Sequence, residues 1–314
     1  MGGVEQRLRK ALEVRGLIRA GAVKERVTLE DFCDEYIDQK TGVYGKHSIK
    51  NLKQTKKKLV AFFGGSHDLT SITCEDMAKF QKFLREIKKL AANSVSLHCR
   101  KAKEFFAAAV EGHLVPSNPC RKLKDLQEQR NEERERFMTV EQSMKVLEAC
   151  PDAEWRVIFS LARFGGMRPS EILQLTWENV WWDKNLIRVP GAKGKHTRGY
   201  RMRDLPIFAE IAHALKDLMA RRPKKTGRIV LGYESDGYIG IQMGRIIANS
   251  GLKDWQRPFL NLRSTRSTEL AELGVTIQDF CRWLGHSPQV ALRHYVQVRA
   301  RSFDRGVDRK STRL

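Results

Sequence analysis

Between residues 125 and 137 the chain reads DLQEQRNEERERF, dense in both signs of charge and nearly devoid of apolar side chains. Such a run buries too little to offset the entropy of ordering it, so it cannot pass through a hydrophobic core. A chain of 314 residues interrupted there is constrained to fold as two bodies, each long enough to bury a core of its own. The expected division is an extension over 1–23, a first domain over 24–124, a linker over 125–137, a second domain over 138–299 and a basic tail over 300–314.

The first domain reads as helical throughout. Thr28 opens EDFCDEYIDQK, and KHSIKNLKQTKKKLVAFF places Ile49, Leu52, Leu59 and Phe63 near helical spacing before Gly64 and Gly65 end it. Thr73 begins TCEDMAKFQKFLREIKKL, and a fourth helix runs through NSVSLHCRKAKEFFAAAVEGHL until Pro116 and Pro119. On the second helix Lys46, Lys50, Lys53 and Lys57 recur at intervals that stack them on one face, opposite the apolar stripe. A charge run is usually a solvated helix face, but four lysines in register without acidic partners also fit a surface that tracks phosphates; Lys82, Arg85, Lys88 and Lys89 on the next helix add to it.

In the second domain Thr139 and Gln142 form a capping-box pattern for a helix that stops before Pro151, and EWRVIFSLARFGG follows. LIRVP and RMRDLPI are short alternating runs joined by GAKGKHTRGY, which predicts one β-hairpin with a basic, glycine-containing tip. Helices resume through FAEIAHALKDLMARR, GIQMGRIIANSG, STRSTELAELG, TIQDFCRWLG and PQVALRHYVQV.

Lys and Arg number 58 against 37 Asp and Glu, a net charge of +21. For a folded chain this implies a polyanionic partner, with nucleic acid ahead of an acidic membrane because the basic residues are spread along the chain and not gathered beside one amphipathic anchor. No apolar run approaches the length of a membrane span, and the N-terminus has no signal-peptide core. A cytoplasmic protein is expected, associated with the nucleoid if its source is bacterial. Six scattered cysteines without a CxxC pair indicate neither zinc nor a disulfide frame, and are expected to be reduced, buried thiols.

Four constellations could carry chemistry. In GGMRPSEIL, Arg168 precedes Pro169 at a helix start, where backbone N–H groups and a guanidinium can both face an anion; taken alone it is a surface arginine. Lys193 lies between two glycines of GAKGK, which allow close approach to a phosphate backbone, although a basic turn is common. In NLRSTR, Arg263 is expected at the start of another helix with Arg266 one turn on, and two arginines from distant helices could hold both non-bridging oxygens of one phosphodiester, although by itself the stretch is an ordinary surface helix. Last, LGHSPQVALRHYVQV holds His286 and Tyr295, a weak pair by itself.

In this order, GGMRPSEILQLTW, the lysine-bearing hairpin, NLRST, LGHS and the terminal tyrosine resemble the catalytic domain of the tyrosine recombinases, the phage-integrase type of site-specific recombinase. VTLEDFCDEYI, LTSITCEDMAKF and SVSLHCRKAKEFFAAAVEGHLVPSNPCRKLK resemble that family's core-binding domain, so the likeness extends from Val27 to Val298. It implies a mainly α, two-domain fold: an N-terminal helical, SAM-like core-binding domain and a C-terminal mixed α/β catalytic domain with a small antiparallel sheet. The implied activity is cleavage and rejoining of double-stranded DNA through a 3′-phosphotyrosine, by a homo-tetramer on DNA, with no cofactor and no metal. Tyr295 would be the nucleophile, Arg168 and Arg263 the phosphate clamp, Lys193 the general acid and His286 a phosphate or tyrosine contact, supported by Glu171, Leu284 and Gly285. Arg100, Lys101 and Lys195 join the four lysines as expected DNA contacts. One position departs: the family usually has His or Lys three residues before its second arginine, and here that residue is Leu260. Asn261 or His294 are the candidates to take over as base, although His294 adjoins Tyr295 on a helix and so points elsewhere. Beside recombination stand a catalytically impaired DNA-binding relative, with Leu260 as the mark of decay, and a type IB topoisomerase-like enzyme.

Overall fold

The computed structural model describes residues 27–127, 134–191, 202–222, 226–252 and 255–294, with the side chains of 293 and 294 outside the description. The chain divides into two compact units, Met1–Gln129 and Arg130–Leu314, and the division falls within the charged run.

The first unit is built of α1 (Leu29–Lys40), α2 (Lys46–Phe63), α3 (Cys74–Glu86) and α4 (Ala92–Glu111). Two of these starts, those of α1 and α3, have a local cause in a side-chain cap. The Thr28 hydroxyl accepts the Asp31 N–H at 3.2 Å, and Thr73 and Asp76 form a reciprocal capping box; each such cap stabilises its helix by about 1 kcal/mol. Gly64 ends α2 in a positive-φ conformation, φ 88°. Leu29, Phe32 and Ile37 of α1, Leu52 and Leu59 of α2, Met77, Phe80 and Leu84 of α3, and Val95, Phe105 and Phe106 of α4 meet in one core. Full burial of each such side chain favours folding by about 1.5–3 kcal/mol. Polar groups inside it are paired: the Thr55 hydroxyl donates to the Asn51 carbonyl at 2.9 Å and lies 2.8 Å from His98 Nδ1. α3 stops four residues short of the expected end, at Glu86, so Lys88 and Lys89 lie beyond the helix, with Lys89 at φ 48°.

The second unit contains α5 (Val140–Glu148), α6 (Ala153–Arg163), α7 (Pro169–Gln174), strands β1 (Val180–Trp181), β2 (Leu186–Val189) and β3 (Arg203–Pro206), then α8 (Ala209–Arg221), α9 (Asp236–Asn249), α10 (Pro258–Glu272), α11 (Ile277–Leu284) and α12 (Pro288–His294). The apolar α6 is its centre: Trp155, Ile158, Phe159 and Leu161 are all fully buried. The sheet is antiparallel in the order β1-β2-β3, with Ile187 opposite both Val180 and Leu205 and with Val189 opposite Arg203.

Three expectations need correction. β1 was not foreseen, because two residues are too few for alternation to be visible. The helix carrying Arg263 begins at Pro258, five residues before that arginine, so Arg263 lies in its second turn and not at its start. Of the six cysteines, Cys74 is only half-buried, at the first turn of α3, while the other five are buried. The end of the charged run is also bonded into this unit: the Arg136 N–H donates to Asn261 Oδ1 at 3.1 Å and the Met138 N–H to Thr265 Oγ1 at 3.1 Å. Among the described residues no helix is long and apolar enough to cross a membrane.

Candidate active site

The site assembles where the Gly165-Gly166 turn, the start of α7, the middle of α10 and the end of α11 meet. Gly166 has φ 58°, and a β-carbon there would stand 2.6 Å from Leu284 Cδ2. The turn thus admits glycine alone without displacement. Beyond it Arg168 caps α7, with Pro169 at the first helical position.

Glu171, three residues on, is 1% exposed and is the acceptor around which the cations gather. Its carboxylate receives the Arg168 backbone N–H at 2.8 Å and Arg168 Nη1 at 2.8 Å. It also receives Arg203 Nη1 at 2.8 Å and Nη2 at 2.7 Å, a two-pronged pairing. Burial pushes the carboxyl pKa up, but the bonds and charges of Arg203 and Arg168 outweigh it and hold the group below the usual carboxylate range. Glu171 is therefore ionised.

Arg263 is 2% exposed. Its guanidinium is fixed by backbone: Nη1 donates to the Gly166 carbonyl at 2.6 Å and Nη2 to the Leu284 carbonyl. Nη2 also lies 3.0 Å from His286 Nδ1. A guanidinium only donates, so Nδ1 accepts and the imidazole proton of the neutral ring sits on Nε2. Burial, then the charges of Arg263, Arg168 and Arg203, lower the His286 pKa to about 3. The ring is neutral at physiological pH and a donor through Nε2. It is placed by Gly285, whose φ of 69° ends α11 and whose carbonyl accepts Arg168 Nη2 at 3.2 Å.

Arg168, Glu171, Arg263 and His286 are thus brought together, as are Leu284 and Gly285. Lys193, Lys195 and Tyr295 lie outside the described residues, so their expected roles stay with the sequence. Leu260 is 44% exposed, one turn before Arg263. Asn261 is not available as a base: 3% exposed, it receives the Arg136 N–H and donates through Nδ2 to the carbonyls of Arg134 at 3.1 Å and Gln256 at 2.8 Å. In the first unit Lys46, Lys50, Lys53, Lys57 and Arg100 are exposed. Lys101 is drawn instead into an ion pair with Glu104 at 2.6 Å and lies over the Tyr44 ring.

Two residues went unnoticed in the sequence. Arg203 shares the inward face of β3 with buried Leu205, and alternation in RMRDLPI is the signal that could have found it. Arg163, fully buried at the end of α6, bonds Ser143 Oγ, the Met138 carbonyl and Glu269; it braces α10 from behind. Two guanidiniums and a neutral imidazole donor on rigid elements form an arrangement suited to an oxyanion. Among the described residues no group of three or more His, Cys, Asp or Glu side chains could hold a metal ion.

Residues 134–301 match the family model described as phage integrase family, and residues 28–124 the model described as phage integrase SAM-like domain. The chain is 26% identical over 222 residues to a tyrosine recombinase XerC-like protein of Caldanaerobacter subterraneus, covering 59% of this chain and 57% of that one. It is 24% identical over 241 residues to a shufflon-specific DNA recombinase of Escherichia coli, covering 74% and 60%. The match therefore spans less than two thirds of the length of either relative. Among solved structures, the Tn1549 transposon integrase in complex with a circular intermediate DNA has the same fold at TM-score 0.69 and 18% identity, covering 90% of this chain and 99% of that one. A lambda integrase tetramer bound to a Holliday junction does so at TM-score 0.65 and 15% identity, covering 90% and 83%.

Proposed function

The chain belongs to the phage integrase family, and from that membership we propose that it is a site-specific recombinase cleaving and rejoining double-stranded DNA through a 3′-phosphotyrosine intermediate. The observation that carries the reading is the convergence of Arg168, Arg263 and His286 within a shared set of hydrogen bonds. Three residues that can stabilise a phosphoryl transition state have no structural need to meet at one spot from positions spread over 119 residues of sequence (286 − 168 + 1).

The chemistry follows from these positions. Tyr295 Oη attacks the scissile phosphorus, the bond to the 5′ oxygen breaks, and a 3′-phosphotyrosine and a 5′-hydroxyl result. Lys193 gives its proton to the leaving 5′ oxygen. Arg168, Arg263 and the Nε2–H of His286 stabilise the charge on the non-bridging oxygens of the pentacoordinate transition state. The reverse attack by a 5′-hydroxyl from a second duplex rejoins the strand, with the bond energy retained in the phosphotyrosine. A phenol of reference pKa near 10 needs help to lose its proton, and Leu260 supplies none. With no base at that position the phenol's proton passes to water, and the first step is slow. The DNA complexes formed by the proteins of like fold, one of them a tetramer on a four-way junction, support duplex DNA as the partner and a homo-tetramer as the working form. Lys46, Lys50, Lys53, Lys57, Arg100 and Lys195 are the proposed backbone contacts.

Covalent trapping on nicked suicide duplexes taken from DNA flanking the gene tests this. Wild type is expected to give a denaturant-resistant protein–DNA adduct and Tyr295→Phe none. Leu260→His is expected to give more adduct than wild type, up to the roughly 10²- to 10⁴-fold that one proton-transfer group contributes. Adduct from Tyr295→Phe refutes the nucleophile. Tight binding without adduct from any variant identifies a DNA-binding relative that has lost catalysis.

A further inference from the structure

The phosphate clamp does not account for Arg203. It opens β3 directly after the connection that carries Lys193, and its side chain is 8% exposed. Both ends of its guanidinium are engaged. Nη1 and Nη2 grip the two oxygens of Glu171, while Nε donates to the Trp283 carbonyl at 2.7 Å. Its Cδ lies 2.9 Å from where a β-carbon on Gly285 would stand, so the turn leading to His286 closes directly over it.

We propose that Arg203 is a positioning residue for strand cleavage, holding Glu171 and the His286 turn so that Arg168 and His286 face the scissile phosphate. The inference rests on the recombinase reading above. Two effects act through this one side chain. The first is charge allocation. Glu171 also binds Arg168 through its backbone N–H and Nη1. With Arg168 as its sole cationic partner, the buried carboxylate would cancel the charge that the phosphate needs. Arg203 takes that carboxylate in a two-pronged pair and leaves Arg168 its positive charge. The second is geometry. The Trp283 carbonyl belongs to the last turn of α11, and Gly285 and His286 follow at once. The Gly285 carbonyl receives Arg168 Nη2, so Glu171, Arg168, the Trp283–Gly285 backbone and Arg203 close a ring of bonds.

The experiment compares DNA affinity and single-turnover covalent cleavage of a suicide duplex for wild type, Arg203→Met, Arg203→Lys and the double variant Arg203→Met/Glu171→Gln. Arg203→Met is expected to keep its DNA affinity and to cleave about 10²-fold more slowly, the scale of a displaced catalytic group. Arg203→Lys falls between, since an ammonium restores the charge but not the fork. The double variant is expected to cleave faster than Arg203→Met, because glutamine still accepts the Arg168 N–H and carries no charge to be compensated. A residue that only fills space predicts the opposite order, with the double variant no better than the single. Wild-type cleavage by Arg203→Lys overturns the proposal even if Arg203→Met fails to fold, as does a double variant slower than Arg203→Met. If wild type itself forms no adduct, the recombinase reading fails and this inference with it.

Discussion

Replacing Gly166 by alanine isolates the backbone of the site. The residue sits at φ 58°, and an added β-carbon would stand 2.6 Å from Leu284 Cδ2. The left-handed conformation costs an L-residue about 1–2 kcal/mol, and forcing a methyl into a packed contact costs about 1–3 kcal/mol more. The loss should be roughly 2–5 kcal/mol. Gly274 is the control: it follows α10 in the same unit at φ 81° with nothing within 4 Å of its β-carbon position, so Gly274→Ala loses the conformational part alone, about 1–2 kcal/mol. Tryptophan fluorescence during urea unfolding is a suitable reporter, because all six tryptophans (Trp155, Trp177, Trp181, Trp182, Trp255 and Trp283) lie in the second unit. With a urea dependence of about 2 kcal/mol per M, Gly166→Ala should lower the midpoint by about 1–2.5 M and Gly274→Ala by about 0.5–1 M. The Gly166 carbonyl and the Leu284 carbonyl are the two backbone acceptors of Arg263. Gly166→Ala should therefore lose covalent cleavage beyond any loss of DNA affinity. Equal midpoints for the two variants would refute the close-packing argument.

Acid should weaken the second unit ahead of any general charge effect. The His286 pKa is depressed by burial and three arginines to about 3, so between that value and its unfolded value near 6.5 the unfolded chain binds the extra proton. The stability this contributes is full above pH 6.5 and is lost as pH falls; the urea midpoint should drop from pH 7 to pH 5, and His286→Gln should drop less. Glu171, also held low, adds to the loss at still lower pH. On α2, Lys50→Ala and Lys53→Ala should each reduce the slope of log affinity against log salt by about 1. Lys56, bonded to Glu30 at 2.9 Å and to Asp34 at 2.5 Å, faces its own unit; Lys56→Ala should leave the slope unchanged, and an equal reduction would mean the wrong face was assigned.

Much of this architecture is legible in the sequence wherever one local rule decides. Thr28, Thr73 and Thr139 announce their helices through capping bonds within four residues, and the stripe of Leu52 and Leu59 sets which face of α2 turns inward. The reading fails where burial is polar. α10 buries Asn261, Arg263, Ser264, Thr265, Arg266, Ser267 and Thr268, so apolar periodicity places neither its start nor its inward face. Two of its polar groups find distant partners only in the folded unit: Thr265 receives the Met138 N–H, and Asn261 binds Arg134 and Arg136, whereas Ser267 and Thr268 bond carbonyls of their own helix. One partner of Asn261, Arg136, lies 125 residues away, beyond the reach of any local pattern. Arg203 is the intermediate case. Alternation with Leu205 marks it as inward, and a buried arginine demands acceptors, but only the fold says that they are the Glu171 carboxylate and the Trp283 carbonyl.

The charges of the site explain why its histidine is neutral and what an arriving phosphate does to it. Arg168, Arg203 and Arg263 carry three positive charges against the single negative charge of Glu171, in a pocket where burial already disfavours a charged imidazole. A fourth cation is excluded by the same field that attracts an anion. One phosphodiester brings one negative charge, which opposes the repulsion from all three arginines at once, so its binding must raise the His286 pKa. By linkage, the anion then binds more tightly as pH falls toward that pKa. At neutral pH the ring nevertheless stays a neutral donor through Nε2, because Arg263 holds Nδ1 as an acceptor and burial resists protonation. In the proposed reaction His286 therefore contributes a directed hydrogen bond to the transition state, while the arginines contribute the charge.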